Sequence, residues 1–444
     1  MSVGIDYIRF FDFKNLHKTH LALGNFSLLL GTNASGKSNV RDGFRFLHGI
    51  SRDYTLPEIL EEKWIEGETP AWRGIRGGIS EIAYRGNDKF SLAVSIATPN
   101  GPFFYVLGIR IHTRSGREIP VINFEALLDI NRVTQGRKRS GNMTKLLREP
   151  HYWIYEARDQ GNPLSRNVGK IKARLRTENQ QNEDPTITLS NTSPLLSQIA
   201  SSNDVSARIR TLSQSILDVL GSMRFFDLQP EAMRRPSLPG QTILGDQGEN
   251  LSSVLLAMCE DPQQKERLIE WVRKLTPMDV VDLDFPTDPS GRVLVSLVES
   301  DQRSTSAQSA SDGTLRFLGI ITALLAPEPV GFYFFEELEN GIDPSRLHLL
   351  LQLIEQEAAN REIQVIATTH SPSLLGLTSS DTLKSTSLIY RLPDSSEARI
   401  SPLSRIPEIQ EILEQQNIEK LHEPGWLEDM IAFAVGKETD DSTS

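Results

Sequence analysis

The chain has 444 residues, of which 38% are hydrophobic and 24% charged, with a net charge of −11 and one cysteine. This length favours two lobes, or one large domain with an insertion, over a single ordinary core. One cysteine excludes an internal disulfide framework and a cysteine-based zinc site. No apolar run approaches the roughly 20 residues of a membrane helix, and the N-terminus has no basic start before an apolar stretch. We therefore expect a cytoplasmic protein with no membrane contact.

Strand and helix patterns alternate along the first part of the chain. Residues 4–12 and 22–30 are strand-like, and KSNVRDGFRFLHGI then has the apolar spacing of a helix. The stretches ISEIAYRG, FSLAVSIAT, FFYVLGIRIHT and VINFEALLDI predict further strands. RTENQQNEDPTITLSNTSP predicts a loop, and the strand–helix–strand alternation of an α/β domain returns from Val293 onwards.

A basic segment interrupts this pattern between Asn131 and Thr177, where twelve lysines and arginines stand against three acids. Its local charge of +9 contrasts with the acidic chain as a whole. Such a concentration is typical of a phosphate-binding face, which predicts nucleic acid as a partner. A solvated insertion explains it equally well, so both interpretations stay open.

The stretch GTNASGKSN, from Gly31 to Asn39, matches the pattern G-x-x-x-x-G-K-[ST] between a buried strand and a helix. Gly31 and Gly36 let the backbone wrap so that N–H groups point at phosphate oxygens. Lys37 is predicted to reach the β and γ phosphates, and the Ser38 hydroxyl to bind magnesium. The other residues of this stretch predicted to line the nucleotide are Thr32, Asn33, Ala34, Ser35 and Asn39.

Three more elements lie far downstream. SASDGTLRFLGIITALL predicts an apolar helix capped by Ser311, with Gly313 permitting close backbone approach. The apolar strand GFYFFEE ends in Glu336 and Glu337. His370 lies at the carboxyl end of the buried strand IQVIATTH, where open α/β sheets bind ligands, and is predicted to contact the γ-phosphate.

Together these motifs resemble the heads of ABC-type ATPases. More narrowly, the chain resembles the SMC/RecF branch, including short stand-alone AAA/ABC ATPases related to the OLD-family ATPase domain. IRFFDFKNLHKTHLALGNFSLLLGTNASGKSNVRDGFRFL and LGDQGENLSSVLLAM carry this resemblance as well, whereas 131–215 does not. It implies an α/β P-loop NTPase fold with a mixed sheet flanked by helices, plus a helical lobe and an insertion.

The resemblance also implies a mechanism. Two heads sandwich two ATP molecules with Mg²⁺, and Ser311 and Gly313 of one head contact the γ-phosphate on the P-loop of the other. The family places an aspartate six residues after its catalytic glutamate. Asp343 takes that place, which makes Glu337 the catalytic base, Glu336 the metal-binding acid and Asp343 a contact to the opposite head. Glu339 has no aspartate at that distance.

One departure from the family concerns the Q-loop, a glutamine on a strand after the first helix. No glutamine lies between Ser38 and Gln135, and Glu81 is the candidate substitute. We predict four segments: the N-terminal half of the head at 1–130, a basic, partly helical insertion at 131–215, the C-terminal half with a helical lobe at 216–400, and a helix with an acidic tail at 401–444.

Two functions compete. The first is an ATPase whose head dimers act in DNA transactions or anti-phage defence. The second is a slow nucleotide-gated sensor or scaffold that controls a separate effector protein, such as a nuclease or toxin. The missing Q-loop glutamine favours the second, and so do the 74 residues after His370, too few for a Toprim domain. A P-loop kinase is disfavoured because no arginine-rich lid is evident.

Overall fold

The computed structural model describes residues 3–64, 70–130, 153–159, 169–176, 184–326, 331–392, 395–405, 426 and 429–432. The chain divides into two compact units. Unit 1 comprises Met1–Leu23, Asn33–Met223 and Ile389–Ser401. Unit 2 comprises Gly24–Thr32, Arg224–Leu388 and Pro402–Ser444. The glycine-rich loop crosses this division, since Gly31 and Thr32 belong to unit 2 and the following residues to unit 1.

The strands are β1 (Gly4–Phe11), β2 (Thr19–Ala22), β3 (Phe26–Leu30), β4 (Lys63–Trp64), β5 (Pro70–Trp72), β6 (Lys89–Thr98), β7 (Gly101–Arg114), β8 (Arg117–Asp129), β9 (Trp153–Arg158), β10 (Lys170–Leu175), β11 (Thr186–Ser190), β12 (Met223–Phe226), β13 (Val280–Asp284), β14 (Ser296–Glu299), β15 (Ser304–Ser306), β16 (Phe332–Phe335), β17 (Gln364–Thr369), β18 (Ser387–Arg391) and β19 (Ala398–Pro402).

The helices are α1 (Lys37–Ser51), α2 (Leu56–Leu60), α3 (Leu195–Ser201), α4 (Ala207–Gly221), α5 (Pro230–Met233), α6 (Leu251–Cys259), α7 (Pro262–Leu275), α8 (Asp312–Leu325), α9 (Pro344–Asn360) and α10 (Ser380–Lys384).

Unit 1 is built on an antiparallel sheet of eight strands in the order β11–β10–β9–β8–β7–β6–β1–β2. Strands β6 to β11 lie in chain order, as in a series of antiparallel neighbours, and the β1–β2 pair joins the sheet beside β6. A cluster of buried side chains from β6 to β9 packs on this sheet, including Phe104, Leu128 and Trp153. Helix α1 packs against α4, where the His48 Nδ1 lies 2.9 Å from the carbonyl oxygen of Leu220. This sheet therefore gives unit 1 its own core.

Unit 2 is built on a sheet in the order β12–β16–β17–β3–β18. The pairs β16–β17, β17–β3 and β3–β18 are parallel. All residues of β3, β16 and β17 are buried, the pattern expected of parallel strands covered on both faces. An extensive core cluster lies here and joins the sheet to α6, α7, α8 and α9. The chain thus has the mixed α/β fold that the sequence predicts.

Two local predictions were wrong. ISEIAYRG forms two short 3-10 turns, Ile79–Glu81 and Tyr84–Gly86, instead of a strand. Gly77 and Gly78 before them, and Arg85 within them, have positive φ values that do not fit a strand. Within the predicted loop, Thr186–Ser190 forms β11, because its hydroxyl-bearing residues pair in register with β10. The predicted C-terminal helix PEIQEILEQQNIEKL lies outside the described residues.

Candidate active site

Three parallel strands of unit 2 bring their carboxyl ends to one edge of the sheet. Strand β3 ends before Gly31, β16 before Glu336 and β17 before His370. Strand β17 lies between the other two, and the Gly31 N–H donates a hydrogen bond to the carbonyl oxygen of Thr369 at 3.2 Å. The start of the glycine-rich loop, the paired glutamates and the histidine therefore share an edge where α/β sheets bind ligands.

The glycine-rich loop has the geometry of a phosphate cradle. Ala34 has a φ of 59° and Gly36 a φ of 116°, both in the left-handed region. A side chain at Gly36 would lie 3.0 Å from the Cβ of Ala398, so glycine fits where others crowd. Lys37 is 8% exposed and begins α1, whose N-terminus no side chain caps. Backbone N–H groups and partial positive charge at this helix end suit a phosphate group.

The other side chains of the loop are held in place or point inward. The Asn39 amide donates to the Asn15 Oδ1 at 2.6 Å. Ser35 is 1% exposed, and its hydroxyl makes no hydrogen bond within the described part of the chain. One turn into α1, the buried Asp42 forms an ion pair with Lys14 at 2.6 Å. Of the remaining loop residues, Gly31 is buried, Thr32 and Ser38 are partly buried, and Asn33 is exposed.

The paired glutamates have different backbone environments. The Glu336 N–H donates to the carbonyl oxygen of Phe226 at 3.1 Å, which continues the pairing of β16 with β12. Glu337 leaves the sheet with a φ of 48°, a left-handed conformation that costs a non-glycine residue about 1–2 kcal/mol. Its N–H donates to the Thr368 Oγ1 at 2.9 Å, and its carboxylate accepts from the Asn340 amide. Such strain clusters at functional sites.

The helix α8 begins with the predicted serine cap. The Ser311 Oγ accepts the Thr314 N–H at 3.1 Å. Gly313 permits a close approach, and the backbone that approaches is the chain's own: a Cβ here would lie 2.2 Å from the carbonyl oxygen of Gly341. Arg234 supports the same turn, with hydrogen bonds to Asp312 at 2.6 Å and to the Ala310 carbonyl oxygen at 3.0 Å.

Asp343 is exposed and caps α9. Its Oδ1 accepts the Ser345 hydroxyl at 2.6 Å and the Ser345 N–H at 2.8 Å. These two hydrogen bonds hold the pKa of the Asp343 carboxyl below its ordinary value. A helix cap is thus one complete account of this aspartate, independent of any contact to a second head.

His370 meets a residue to which the sequence assigns no role. Its imidazole is 47% exposed, and its Nδ1 lies 3.0 Å from the Glu339 Oε1. The same oxygen accepts the His370 N–H and the Thr369 hydroxyl, both at 2.8 Å. Glu339 therefore joins the loop after β16 to the end of β17.

Sequence reasoning missed several residues that shape this edge. Arg316 of α8 lines a small pocket together with Glu336 and Glu337. Thr368, Asn340 and Arg234 act through hydrogen bonds that no spacing rule reveals. The Q-loop candidate Glu81 is exposed at the end of the turn Ile79–Glu81, and its carboxylate folds over Gly77.

Part of the basic segment is described. Residues 153–159 and 169–176 contain β9 and β10, whereas 131–152, 160–168 and Thr177 lie outside the described residues. Strand β10 alternates strictly, with Lys170, Lys172 and Arg174 exposed and the apolar residues between them buried. Arg174 also lies 4.0 Å from Glu156 of β9.

A glycine-rich loop after a central parallel strand, paired acids ending a second strand and a histidine ending the strand between them are the arrangement of a P-loop α/β protein. Residues 153–376, just over half of the chain, match the family described as "AAA domain, putative AbiEii toxin, Type IV TA system". The chain belongs to this family. The matched region contains the α8 turn, both glutamates and His370, and the glycine-rich loop precedes it.

Among solved structures, the chain is similar to the SMC head domain from Thermotoga maritima, with 9% identity over 90% of this chain and 98% of that one and a TM-score of 0.40. It is also similar to the Smc head domain of Pyrococcus furiosus bound to the C-terminal domain of ScpA, with 13% identity over 93% and 100% and a TM-score of 0.42. No curated protein matches the chain. Within the described ranges, no helix has the length and apolar character needed to cross a membrane.

Proposed function

We propose that this protein binds and hydrolyses ATP, with Glu337 as the catalytic base. The observation that carries the proposal is the strained backbone of Glu337, at an edge shared with Gly31 and His370. Strain of about 1–2 kcal/mol persists only where surrounding structure holds it. Here the Thr368 hydroxyl and the Asn340 amide both bond to Glu337.

Each residue has a role in the proposed reaction. The N–H groups of the glycine-rich loop and Lys37 hold the phosphates. The Glu337 carboxylate accepts a proton from water while the oxygen of that water attacks the γ-phosphorus. The bond between the γ-phosphorus and the β–γ bridging oxygen breaks, and ADP leaves. His370 contacts the γ-phosphate. Orientation of water and phosphate is the main requirement of this chemistry.

Magnesium fits the donors that the chain offers. The Ser38 hydroxyl and the Glu336 carboxylate are oxygen ligands, which Mg²⁺ prefers. No cluster of three or more histidine, cysteine or acidic residues suited to a metal occurs in the described ranges. Mg²⁺, if bound, would neutralise charge that develops on the phosphates.

A second copy of the chain is the proposed partner. Ser311 and Asp343 are exposed, and Gly313 is partly exposed. Two heads that face each other across ATP would place the α8 turn of one against the γ-phosphate of the other. This arrangement rests on the resemblance to ABC-type heads.

The test of the proposal is Glu337→Gln, which keeps the side-chain size but removes the base. Turnover should fall by about 10²–10⁴-fold, while nucleotide affinity is retained and an ATP-bound dimer accumulates in size-exclusion chromatography. The matched control is Glu362→Gln, since Glu362 is also exposed with a positive φ but lies in the turn between α9 and β17. Undiminished hydrolysis by the Glu337 variant would refute the assignment.

A slow nucleotide-gated sensor is the second candidate. The absence of a glutamine between Ser38 and Gln135 favours it, and so does the toxin–antitoxin description of the matched family. An effector protein that co-purifies with the chain in an ATP-dependent manner would support this candidate. Turnover that DNA stimulates strongly in the purified chain would count against it and would support a DNA role, for which Lys170, Lys172 and Arg174 offer an exposed basic row.

A further inference from the structure

The Glu339 carboxylate accepts hydrogen bonds from the end of strand β17. This side chain is 9% exposed, and its Oε1 accepts hydrogen bonds from the Thr369 hydroxyl and the His370 N–H, while the His370 Nδ1 lies 3.0 Å from the same oxygen. Its other oxygen, Oε2, accepts none from the described residues. A nearly buried carboxylate is retained at a cost in desolvation, which these contacts offset.

The ring contact determines which imidazole nitrogen carries the proton. A carboxylate oxygen can only accept, so an Nδ1 that lies 3.0 Å from it is favoured as the protonated ring nitrogen. With Nδ1 facing Glu339, Nε2 is the nitrogen available to a ligand. A partner of this kind fixes both the tautomer and the orientation of a functional histidine.

Further hydrogen bonds connect the same two loops. The Glu337 N–H donates to the Thr368 Oγ1 at 2.9 Å, and the Leu338 N–H donates to the Thr368 carbonyl oxygen at 3.1 Å. The segment that carries the proposed base and the segment that carries His370 are therefore bonded at successive residues, from 337 to 339 on one side and from 368 to 370 on the other.

We propose that Glu339 is a positioning residue that holds His370 with Nδ1 as donor and Nε2 available to the γ-phosphate, and that it ties this histidine to the loop of Glu337. The inference rests on the proposed ATPase function. Glu339 itself neither contacts ATP nor activates water; it acts through His370.

The experiment is a double-mutant cycle in ATP turnover with Glu339→Ala, His370→Ala and the combined variant. Glu339→Ala should lower kcat by about 10–100-fold and change KM for ATP by less than about threefold, because it leaves the phosphate cradle intact. The combined variant should be no slower than His370→Ala alone, since residues that act as a unit are not additive. Glu339→Gln, which keeps an acceptor, should restore part of the rate.

The control is Glu355→Ala. Glu355 is a partly buried glutamate of α9 that accepts the Ser379 N–H at 2.9 Å and the Thr382 hydroxyl at 2.6 Å, away from the sheet edge. Glu355→Ala removes the same kinds of hydrogen bond as Glu339→Ala and should leave kcat unchanged. If Glu339→Ala does not fold, Glu339→Asp, which withdraws the acceptor by one methylene, takes its place.

A second measurement reads the tautomer. In protein labelled with ¹⁵N-histidine at pH 8, the His370 resonances, assigned by their loss in His370→Ala, should report a protonated Nδ1 that shifts towards protonated Nε2 in Glu339→Ala. Losses that multiply in the combined variant, or an unchanged tautomer, would overturn the inference while leaving the ATPase proposal intact. If His370→Ala itself turns over normally, both the inference and the proposed role of His370 fail, whereas Glu337→Gln still tests hydrolysis.

Discussion

The sheet of unit 1 is antiparallel throughout its eight strands, whereas the central pairs of unit 2 are parallel. Neighbouring antiparallel strands end at opposite edges, so consecutive loops alternate between the two sides. Parallel strands end at one edge, which in unit 2 gathers Gly31, Glu336 and His370. The two sheets therefore place polar groups differently. Unit 2 gathers them at one edge of its sheet, whereas unit 1 buries a carboxyl group in its core.

That buried group is Glu125 of β8. Its carboxylate accepts the N–H groups of Leu195 and Leu196 at 2.8 and 2.7 Å and the Tyr155 hydroxyl at 2.9 Å. Burial nevertheless raises its pKa from 4.5 to about 7, the hydrogen bonds lowering it only in part. A substitution of Glu125 therefore tests whether unit 1 contributes to stability and unit 2 to the reaction.

The largest effect is expected for the pH dependence of Glu125. Between pH 4.5 and about 7 the unfolded chain releases this proton before the native chain does. The native state then binds more protons, so the Glu125 contribution to stability falls as pH rises through this window, by about 3 kcal/mol. Glu125→Gln should remove that component. The difference in urea-unfolding free energy between wild type and variant at pH 5 and pH 7.5 measures it.

Glu118→Gln is the control for this measurement, because Glu118 is exposed on the same strand. It should leave the pH profile of stability unchanged. Folded Glu125→Gln should hydrolyse ATP at the wild-type rate. A loss of turnover without unfolding would show that unit 1 contributes more than stability and would break the comparison.

A smaller effect is expected at Gly313. A methyl group there would meet the Gly341 carbonyl oxygen, which is backbone and yields poorly, so Gly313→Ala should lower the unfolding free energy by about 1–3 kcal/mol and reduce turnover. Gly319→Ala on the same helix would meet the movable side chain of Leu228 at 3.0 Å and should be close to neutral. Thermal unfolding and turnover of the two variants, measured side by side, decide the point; equal behaviour would contradict the prediction.

The smallest effect, and the one of opposite sign, is expected for Glu337→Gly. Glycine relieves the left-handed strain but loses conformational entropy on folding, so the unfolding free energy should rise by about 0.5–1 kcal/mol while turnover is lost. Glu362→Gly removes similar strain at a φ of 53° away from the sheet edge and should gain stability with full activity. If Glu337→Gly lowers the unfolding free energy instead, the left-handed backbone of Glu337 does not cost stability and the prediction is wrong.

The sequence predicts the fold class correctly because buried strands, glycines and helix periodicity are local signals. The strand predicted at ISEIAYRG fails because glycine and left-handed residues override its apolar alternation. The roles assigned to Lys37, Glu337 and His370 stay predictions. The contacts of Glu339 and Thr368 could not be predicted from the sequence. Their partners lie 30 and 31 residues away along the chain, and strand order determines which loops meet.

The contact of Gly313 with Gly341 has a consequence for the entropy of association. In the proposed dimer, two separate surface loops would each lose conformational freedom on association, and that loss would subtract from the affinity. Because backbone meets backbone here, the α8 turn and the loop that leads to Asp343 already constrain each other within one chain. A partner that engages both would find one preorganised surface, with part of the ordering completed during folding.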